Sequence, residues 1–202
     1  MLKCNSSFLN EYLREAPVPL ALERVAECNI LNKYKFNTPV LDIGCGEGMF
    51  AKILFENKID VGIDPNSCEL KKAKEYDKYD ELLECYGDSI PKKDGSFKTI
   101  ISNSVMEHIT DINSVLQEAY RLLANDGVMY LTLPTEKFEQ YTLIHQLLKL
   151  FGFTSLANKY SKKLYNAFWR HYHCYPVEEW KNKMEYNGFK VEEYKEYGPK
   201  WF

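Results

Sequence analysis

The 202-residue chain has no run of 18 apolar residues, so no segment reads as a membrane span. Its first residues, Met1-Leu2-Lys3-Cys4-Asn5, lack the apolar stretch of a secretory signal. The six cysteines (4, 28, 45, 68, 85 and 174) form no Cys-x-x-Cys pair and are scattered. Without an export signal they read as reduced thiols, and a cytoplasmic location is expected. Positive charge is not in excess: 26 Lys and Arg stand against 29 Asp and Glu, for a net charge of -3. That balance argues against a dedicated polyanion binder, so no nucleic-acid partner is expected. Internal repeats, low-complexity tracts and dividing linkers are absent, which leaves residues 1–202 as a single domain of ordinary size. What is present is an apolar fraction of 45% and a charged fraction of 27%, the balance of a globular chain.

Patterning along the chain alternates between two periods. Residues 1–37 read as a helical cap, with Leu20, Leu22, Val25, Ala26, Ile30 and Leu31 on one face after a break at Pro17 and Pro19. Val40–Ile43 is a short apolar run that stops at glycines, a buried strand. Glu47–Asn57 has helical spacing, Ile59–Ile63 is a second strand, and Ser67 to Tyr76 a second helix. Leu82–Tyr86 is a weaker strand and Thr99–Ser102 a fourth. Asp111–Leu123 reads as a helix ended by Asn125-Asp126-Gly127, and Val128–Leu133 as a strand closed by Pro134. Such alternation predicts an α/β fold, a mostly parallel sheet between helices in three layers, with residues 38–134 as its core. Residues 135–175 break the rhythm. They read as a helical insertion after the fifth strand, rich in aromatics and striped by Leu143, Ile144, Leu147, Leu148 and Phe151. Residues 176–202 resume it, with a helix over Pro176–Asn187 and an alternating sixth strand over Phe189–Tyr197.

The sharpest local signal is Val40-Leu41-Asp42-Ile43-Gly44-Cys45-Gly46-Glu47-Gly48. A buried strand runs into three glycines and then a helix. Glycine permits positive φ and close approach of a ligand to the backbone, and a helix start offers N–H groups to a carboxylate or phosphate. A dinucleotide fingerprint would place its third glycine at position 49, where this chain has Met49. Asp42 sits where a pyrophosphate would be repelled and a cationic amino group welcomed. Asp64 ends the second strand about twenty residues on, placed to accept two ribose hydroxyls, so a nicotinamide cofactor stays open as an alternative.

Val40–Gly48, then Gly62-Ile63-Asp64-Pro65-Asn66, Tyr86-Gly87-Asp88-Ser89-Ile90-Pro91, Ser102–Ile109 and Arg121–Pro134 together resemble the class I S-adenosylmethionine-dependent methyltransferases, in the small-molecule branch. The resemblance covers residues 38–134, with weaker agreement over 172–197. It implies a Rossmann-like fold and S-adenosylmethionine as cofactor, with S-adenosylhomocysteine as product. It implies that Asp42, Gly44, Cys45, Gly46 and Gly48 surround the methionyl part. Asp64 would take the ribose hydroxyls, Pro65 and Asn66 would line the adenine side, and Asp88, with Ser89 and Ile90, would meet the adenine amino group. Asn103, Ser104 and Val105 would lie beneath the sulfonium. The family has seven strands, the last antiparallel; only six are found here, so the partner of the final hairpin is either missing or expected beyond Phe202.

Methyl transfer from a sulfonium needs mainly binding and alignment, and a base only where the acceptor must lose a proton. His108 follows the fourth strand and is the best single candidate base. His171 and His173, in Trp169-Arg170-His171-Tyr172-His173-Cys174, are candidates for acceptor binding, as is Tyr12 from the N-terminal cap. No second ligand group stands near His171-x-His173-Cys174 in sequence, so no metal site is expected. Residues 135–175 are expected to lie as a lid over the methyl-donor site. Lys137, Lys149, Lys159, Lys162 and Lys163 leave room for a peripheral membrane contact. The reading is methyl transfer to oxygen or nitrogen of a small or medium-sized acceptor. Its alternative is a catalytically silent cofactor-binding protein serving as a regulatory or assembly partner. Oligomeric state is not read from these residues.

Overall fold

A computed structural model describes residues 8–137, 143–156 and 171–197. These fall into two compact units. The first, Met1–Asn103 with Asn113–Thr132, holds the sheet. Its strands are β1 (Val40–Ile43), β2 (Ile59–Asp64), β3 (Tyr79–Glu84), β4 (Phe97–Asn103) and β5 (Leu123–Thr132). They lie in the order β3-β2-β1-β4-β5, all parallel. Its helices are α1 (Phe8–Glu15), α2 (Val18–Leu31), α3 (Met49–Leu54), α4 (Ser67–Glu75) and, after the first residue of α5 (Ile112–Leu122), the rest of that helix.

The strand order reverses at β1. Right-handed crossovers carry α3 and α4 to one face as the chain moves outward through β2 and β3, and carry α5 to the other as it moves through β4 to β5. The result is the three-layer, Rossmann-like arrangement the alternation implies. β1 is buried at all four positions, as a central parallel strand must be. One apolar cluster joins Phe8, Tyr12, Ala21 and Cys28 of the N-terminal helices with Ala51, Ile53 and Leu54 of α3, Ala73 of α4 and Tyr79 of β3. α5 buries Val115, Leu116, Ala119 and Leu122 at helical spacing. Pro17 and Pro19 lead into α2, where a missing N–H costs nothing. Asn66 caps α4 by accepting from the Cys68 N–H at 3.0 Å, an interaction worth about 1 kcal/mol.

Several boundaries differ from those the sequence pattern predicts. β3 begins at Tyr79, three residues before the expected strand, because Asp80 and Glu81, both exposed, leave no apolar run at its start. Asn125-Asp126-Gly127 is not the turn that ends α5. The chain enters the ladder at once, with Leu123 opposite Phe97 and Val128 opposite Thr99, and the intervening residues form an irregularity inside β5. Phe189–Tyr197 is not a strand. Its alternation is real, but no ladder partner exists for it among the described residues, which contain five strands and not six.

Gly62, in the middle of β2, lies against the Tyr79 ring. A Cβ there would stand 2.7 Å from Tyr79 Cδ1 and Cε1. The ring is held in turn by its hydroxyl, which donates to Asp42 Oδ2 at 2.7 Å. Gly62→Ala must therefore push a buried ring off a buried carboxyl. The expected loss is about 1–3 kcal/mol in urea unfolding, as for other overpacked cores. A loss below about 0.5 kcal/mol would show that the ring has room the geometry denies it.

The second unit comprises Ser104–Ile112 and Leu133–Phe202. Its described residues include one 3-10 turn over Met106–His108, α6 (Leu143–Leu150) and α7 (Val177–Tyr186). Trp180 of α7 is buried, with its indole N–H on the Pro134 carbonyl at 3.0 Å and its ring edge-on to Tyr175. α7 closes on Asn187 and on Gly188, whose φ of 94° lets the Phe189 N–H reach back to the Met184 carbonyl. Of the expected apolar stripe in the insertion, Leu147 and Phe151 are exposed, and the side chains of Leu143 and Ile144 lie outside the described residues. The aromatics Phe138, Tyr141, Tyr160, Tyr165, Phe168 and Trp169, on which the expectation of a lid rests, also lie outside them. Among the described residues no helix is long and apolar enough to cross a membrane.

Candidate methyl-donor site

The glycine loop leaves the C-terminal end of β1, the strand at which the sheet order reverses and the usual ligand crevice of such sheets. Gly44, Gly46 and Gly48 all take positive φ, at 75°, 52° and 80°. A side chain at any of them is strained. The loop is built tightly. Gly44 and Cys45 both donate to the Ile63 carbonyl at 2.9 Å, Gly48 donates to the Cys45 carbonyl, and Gly46 donates to Asp64 Oδ2 at 3.0 Å. These four N–H groups are thus used within the protein and are not the anion cradle the sequence pattern suggests. What the loop offers at Gly46 is space: apart from its chain neighbours, no heavy atom of the protein lies within 4 Å of where a Gly46 Cβ would be, whereas Gly48 packs closely on Ala73 and Tyr79.

Asp64 ends β2 beside β1 and faces that loop. Its other oxygen accepts the Asn66 N–H at 2.8 Å. Two backbone donors fix the carboxylate's orientation, and each oxygen keeps a further lone pair for a ligand hydroxyl. Asp42 is 2% exposed. Burial pushes its carboxyl up to about 7; the hydrogen bond from Tyr79 opposes this, and the nearby Asp64 charge adds to it. In the unfolded chain Asp42 would ionise near 3.8. Between those values the folded protein keeps a proton that the unfolded chain releases. This group's contribution to stability is therefore full at the acid end and is lost as pH rises through about 7. Asp42→Asn is expected to gain on the wild type between pH 5 and pH 8 in paired urea titrations. A constant difference at both pH values would contradict the assignment.

Asp88 and Ser89 are exposed in the turn after β3, while Ile90 is buried with its N–H on Glu118 Oε1. Ile90 is thus held by α5, with Glu118 itself clamped by Arg121. Asn103 ends β4, but its amide donates to Glu27 Oε2 at 2.8 Å and to Thr132, and Arg24 bonds the same Glu27 oxygen. A fully buried Glu27 requires those donors. This group of Arg24, Glu27, Asn103 and Thr132 spans α2, β4 and β5 and is invisible in the sequence order. Burial also raises the adjacent Glu23 to about 7, against the pull of Arg24. Ser104 follows with φ 53°, a left-handed conformation rare outside glycine. Tyr12 is corrected by the structure. It is 1% exposed, packed in the core with its hydroxyl against Cys28 Sγ, and presents no face to an acceptor.

In the second unit, the strap His171–Tyr175 is pinned to the turn after β4. The N–H groups of Tyr172 and His173 both point at the Glu107 carbonyl, at 2.7 and 3.3 Å. His173 is tied at both nitrogens: Nε2 donates to the Ile109 carbonyl at 2.8 Å, so Nδ1 accepts from the Tyr175 hydroxyl at 2.7 Å. Both ring nitrogens of His173 are thus used within the second unit, where the residue clasps the strap to the turn. The His108 and His171 rings lie 4.9 Å apart between centres, tilted by 59°, beside Glu107. The fold thus supplies the neighbours for His171 that its local sequence lacks.

The fold and the loop define a class of protein. Residues 9–194 match the family model described as "Methyltransferase domain", and the chain belongs to that family. The family's methyl donor is S-adenosylmethionine, and the open loop and fixed Asp64 carboxylate fit that donor. The chain is 27% identical over 135 residues to the ubiquinone biosynthesis O-methyltransferase of Pelagibacter ubique, across 61% of this chain and 56% of that one. It is 30% identical over 129 residues to YrhH of Bacillus subtilis, across 60% and 71%. Against the first of these the chain spans about half the relative's length. Among solved structures, a protein of Thermotoga maritima titled SAM-dependent methyltransferase, possible histamine N-methyltransferase, superposes with a TM-score of 0.67. It covers 91% of this chain and 78% of its own, at 22% identity, and this likeness bears on the fold.

Proposed function

We propose that the chain transfers a methyl group from S-adenosylmethionine to an oxygen or nitrogen of a small or medium-sized acceptor. The observation that carries this is the open, triply left-handed glycine loop at the sheet's reversal point, hydrogen-bonded to the Asp64 carboxylate. In this reading Asp64 holds the ribose hydroxyls, with Pro65 and Asn66 on the adenine side. Asp88 and Ser89 meet the adenine edge, over the Ile90 backbone fixed by Glu118. Asp42, Gly44, Cys45, Gly46 and Gly48 enclose the methionyl part, where a cationic amino group stabilises the ionised Asp42. Asn103, Ser104 and Val105 line the sulfonium. The bound cofactor supplies an activated methyl on a good leaving group, and the protein's part is alignment.

On the acceptor side, His108 takes the proton of the acceptor, and His171 and residues 135–175 shape its pocket. The name of the Pelagibacter relative favours oxygen. Exposed Leu147, Leu150, Phe151 and Phe153, with Lys149 among them, suit an apolar acceptor or a peripheral membrane contact. A reducing, cytoplasmic setting fits the five free cysteines of the described residues. The test is a transfer assay with methyl-labelled S-adenosylmethionine across phenols, catechols and amines. Label in at least one product class is expected. Tight S-adenosylhomocysteine binding with no transfer to any acceptor would contradict the enzymatic reading.

A further inference from the structure

We propose that Glu107, His108 and His171 form a binding site for one first-row divalent cation of the zinc type. One ligand atom from each residue lies within 4.8 Å of the other two, although His171 lies far along the chain from the first pair. Glu107 Oε1 and His108 Nε2 are 3.9 Å apart. A tetrahedral cation with bonds of about 2.1 Å needs donors about 3.4 Å apart, so closure asks for side-chain shifts of about an ångström or less. The backbone is already set for it, since Tyr172 and His173 both donate to the Glu107 carbonyl and hold the strap against the turn.

The chemistry of the set is selective. Two imidazoles and one carboxylate suit zinc, iron, cobalt or nickel better than magnesium or calcium, which prefer all-oxygen shells. Three protein ligands leave a position open for water or another ligand, the pattern of a catalytic rather than a structural centre. Cys174 Sγ lies 3.7 Å from His171 Nδ1 and helps to orient that ring beside Glu107 and His108. Glu107 is buried, so its charge is weakly screened and its attraction for a cation correspondingly strong. His108, with its side chain 41% exposed, keeps the site open to entry.

The inference goes beyond methyl transfer and is read without turnover. Metal-stripped, tag-free protein is titrated with Co2+ and then Zn2+, following visible absorption and heat. The wild type is expected to take up one equivalent of Co2+, with absorption bands of low coordination number, and to release it to Zn2+. Glu107→Gln and His171→Ala are each expected to weaken uptake at least about a hundredfold, since even outer partners of a metal ligand are worth about 10–100-fold. Cys174→Ser should keep one equivalent and lose about tenfold. A lone pair on a cation takes no proton, so the base role given to His108 above belongs to the metal-free protein; as a ligand, His108→Ala is expected to weaken Co2+ uptake at least about a hundredfold, whereas a base alone would leave it unchanged. Titration with S-adenosylhomocysteine checks that each variant is folded. Absence of stoichiometric uptake by the wild type overturns the site, as does uptake undiminished in His171→Ala, Glu107→Gln or His108→Ala. Either result leaves the methyl-transfer reading standing.

Discussion

Replacing His108 by alanine is expected to lower turnover by about 10²–10⁴ while leaving S-adenosylhomocysteine affinity within about twofold. The size follows from what a positioned base contributes when an acceptor hydroxyl must ionise during attack. The selectivity follows from the chain: His108 sits in the turn after β4, in a group with Glu107 and His171, and has no part in the hydrogen bonds that hold the glycine loop. Rapid-mixing or steady-state assays with saturating cofactor would report the change in kcat. A fall in affinity alongside turnover would instead mark His108 as a neighbour that packs on the cofactor. An unchanged turnover would move the proton to His171 or to an acceptor that needs no base.

Asp64→Ala should weaken binding of S-adenosylmethionine and its product by at least about tenfold. Charge-assisted hydrogen bonds are worth roughly 1.5–3 kcal/mol each, and two ribose hydroxyls are at stake. The structure adds a second route to the loss. Asp64 also accepts the Gly46 N–H, so the truncation removes one of the bonds between the loop and β2 as well as emptying the ribose position, while those from Gly44 and Cys45 to Ile63 remain. Asp64→Asn keeps an acceptor oxygen and much of the shape, and should retain more affinity than alanine but less than the wild type. Equal affinity in all three proteins would remove Asp64 from the site.

β1 and β2 were legible because parallel strands buried on both faces are bare apolar runs: Val40–Ile43 has the same bounds in the structure as in the pattern. α4 was legible as a polar helical stretch from Ser67 to Tyr76, one residue longer than the helix itself. β3 was legible only over Leu82–Glu84, since the exposed Asp80 and Glu81 break the pattern and Tyr79, its anchor, sits ahead of them. The irregularity in β5 hid behind Asn-Asp-Gly, a sequence that ends helices and also suits residues pushed out of a ladder. At the site, the loop and its two acids were visible because a motif within one strand–turn–helix unit is local. The pairings that cross the fold were not: Asn103 to Glu27, Tyr79 to Asp42, and His108 to His171 are brought together by topology and leave no trace in spacing. Tyr12 was misassigned for the same reason. Its aromatic ring near the start of the chain looked like a wall, but the packing of α1 on α2 and α3 makes it core.

The claim on which the rest depends is that the Asp64 carboxylate meets the ribose of the methyl donor. The direct measurement is a calorimetric cycle of two proteins, wild type and Asp64→Ala, against two ligands, S-adenosylhomocysteine and its 2′,3′-dideoxy analogue. The wild type should bind the dideoxy analogue at least about tenfold more weakly than the parent, while Asp64→Ala should bind the two alike. The same tenfold preference for the parent ligand in both proteins would contradict the account, because the hydroxyls would then be held by something other than Asp64.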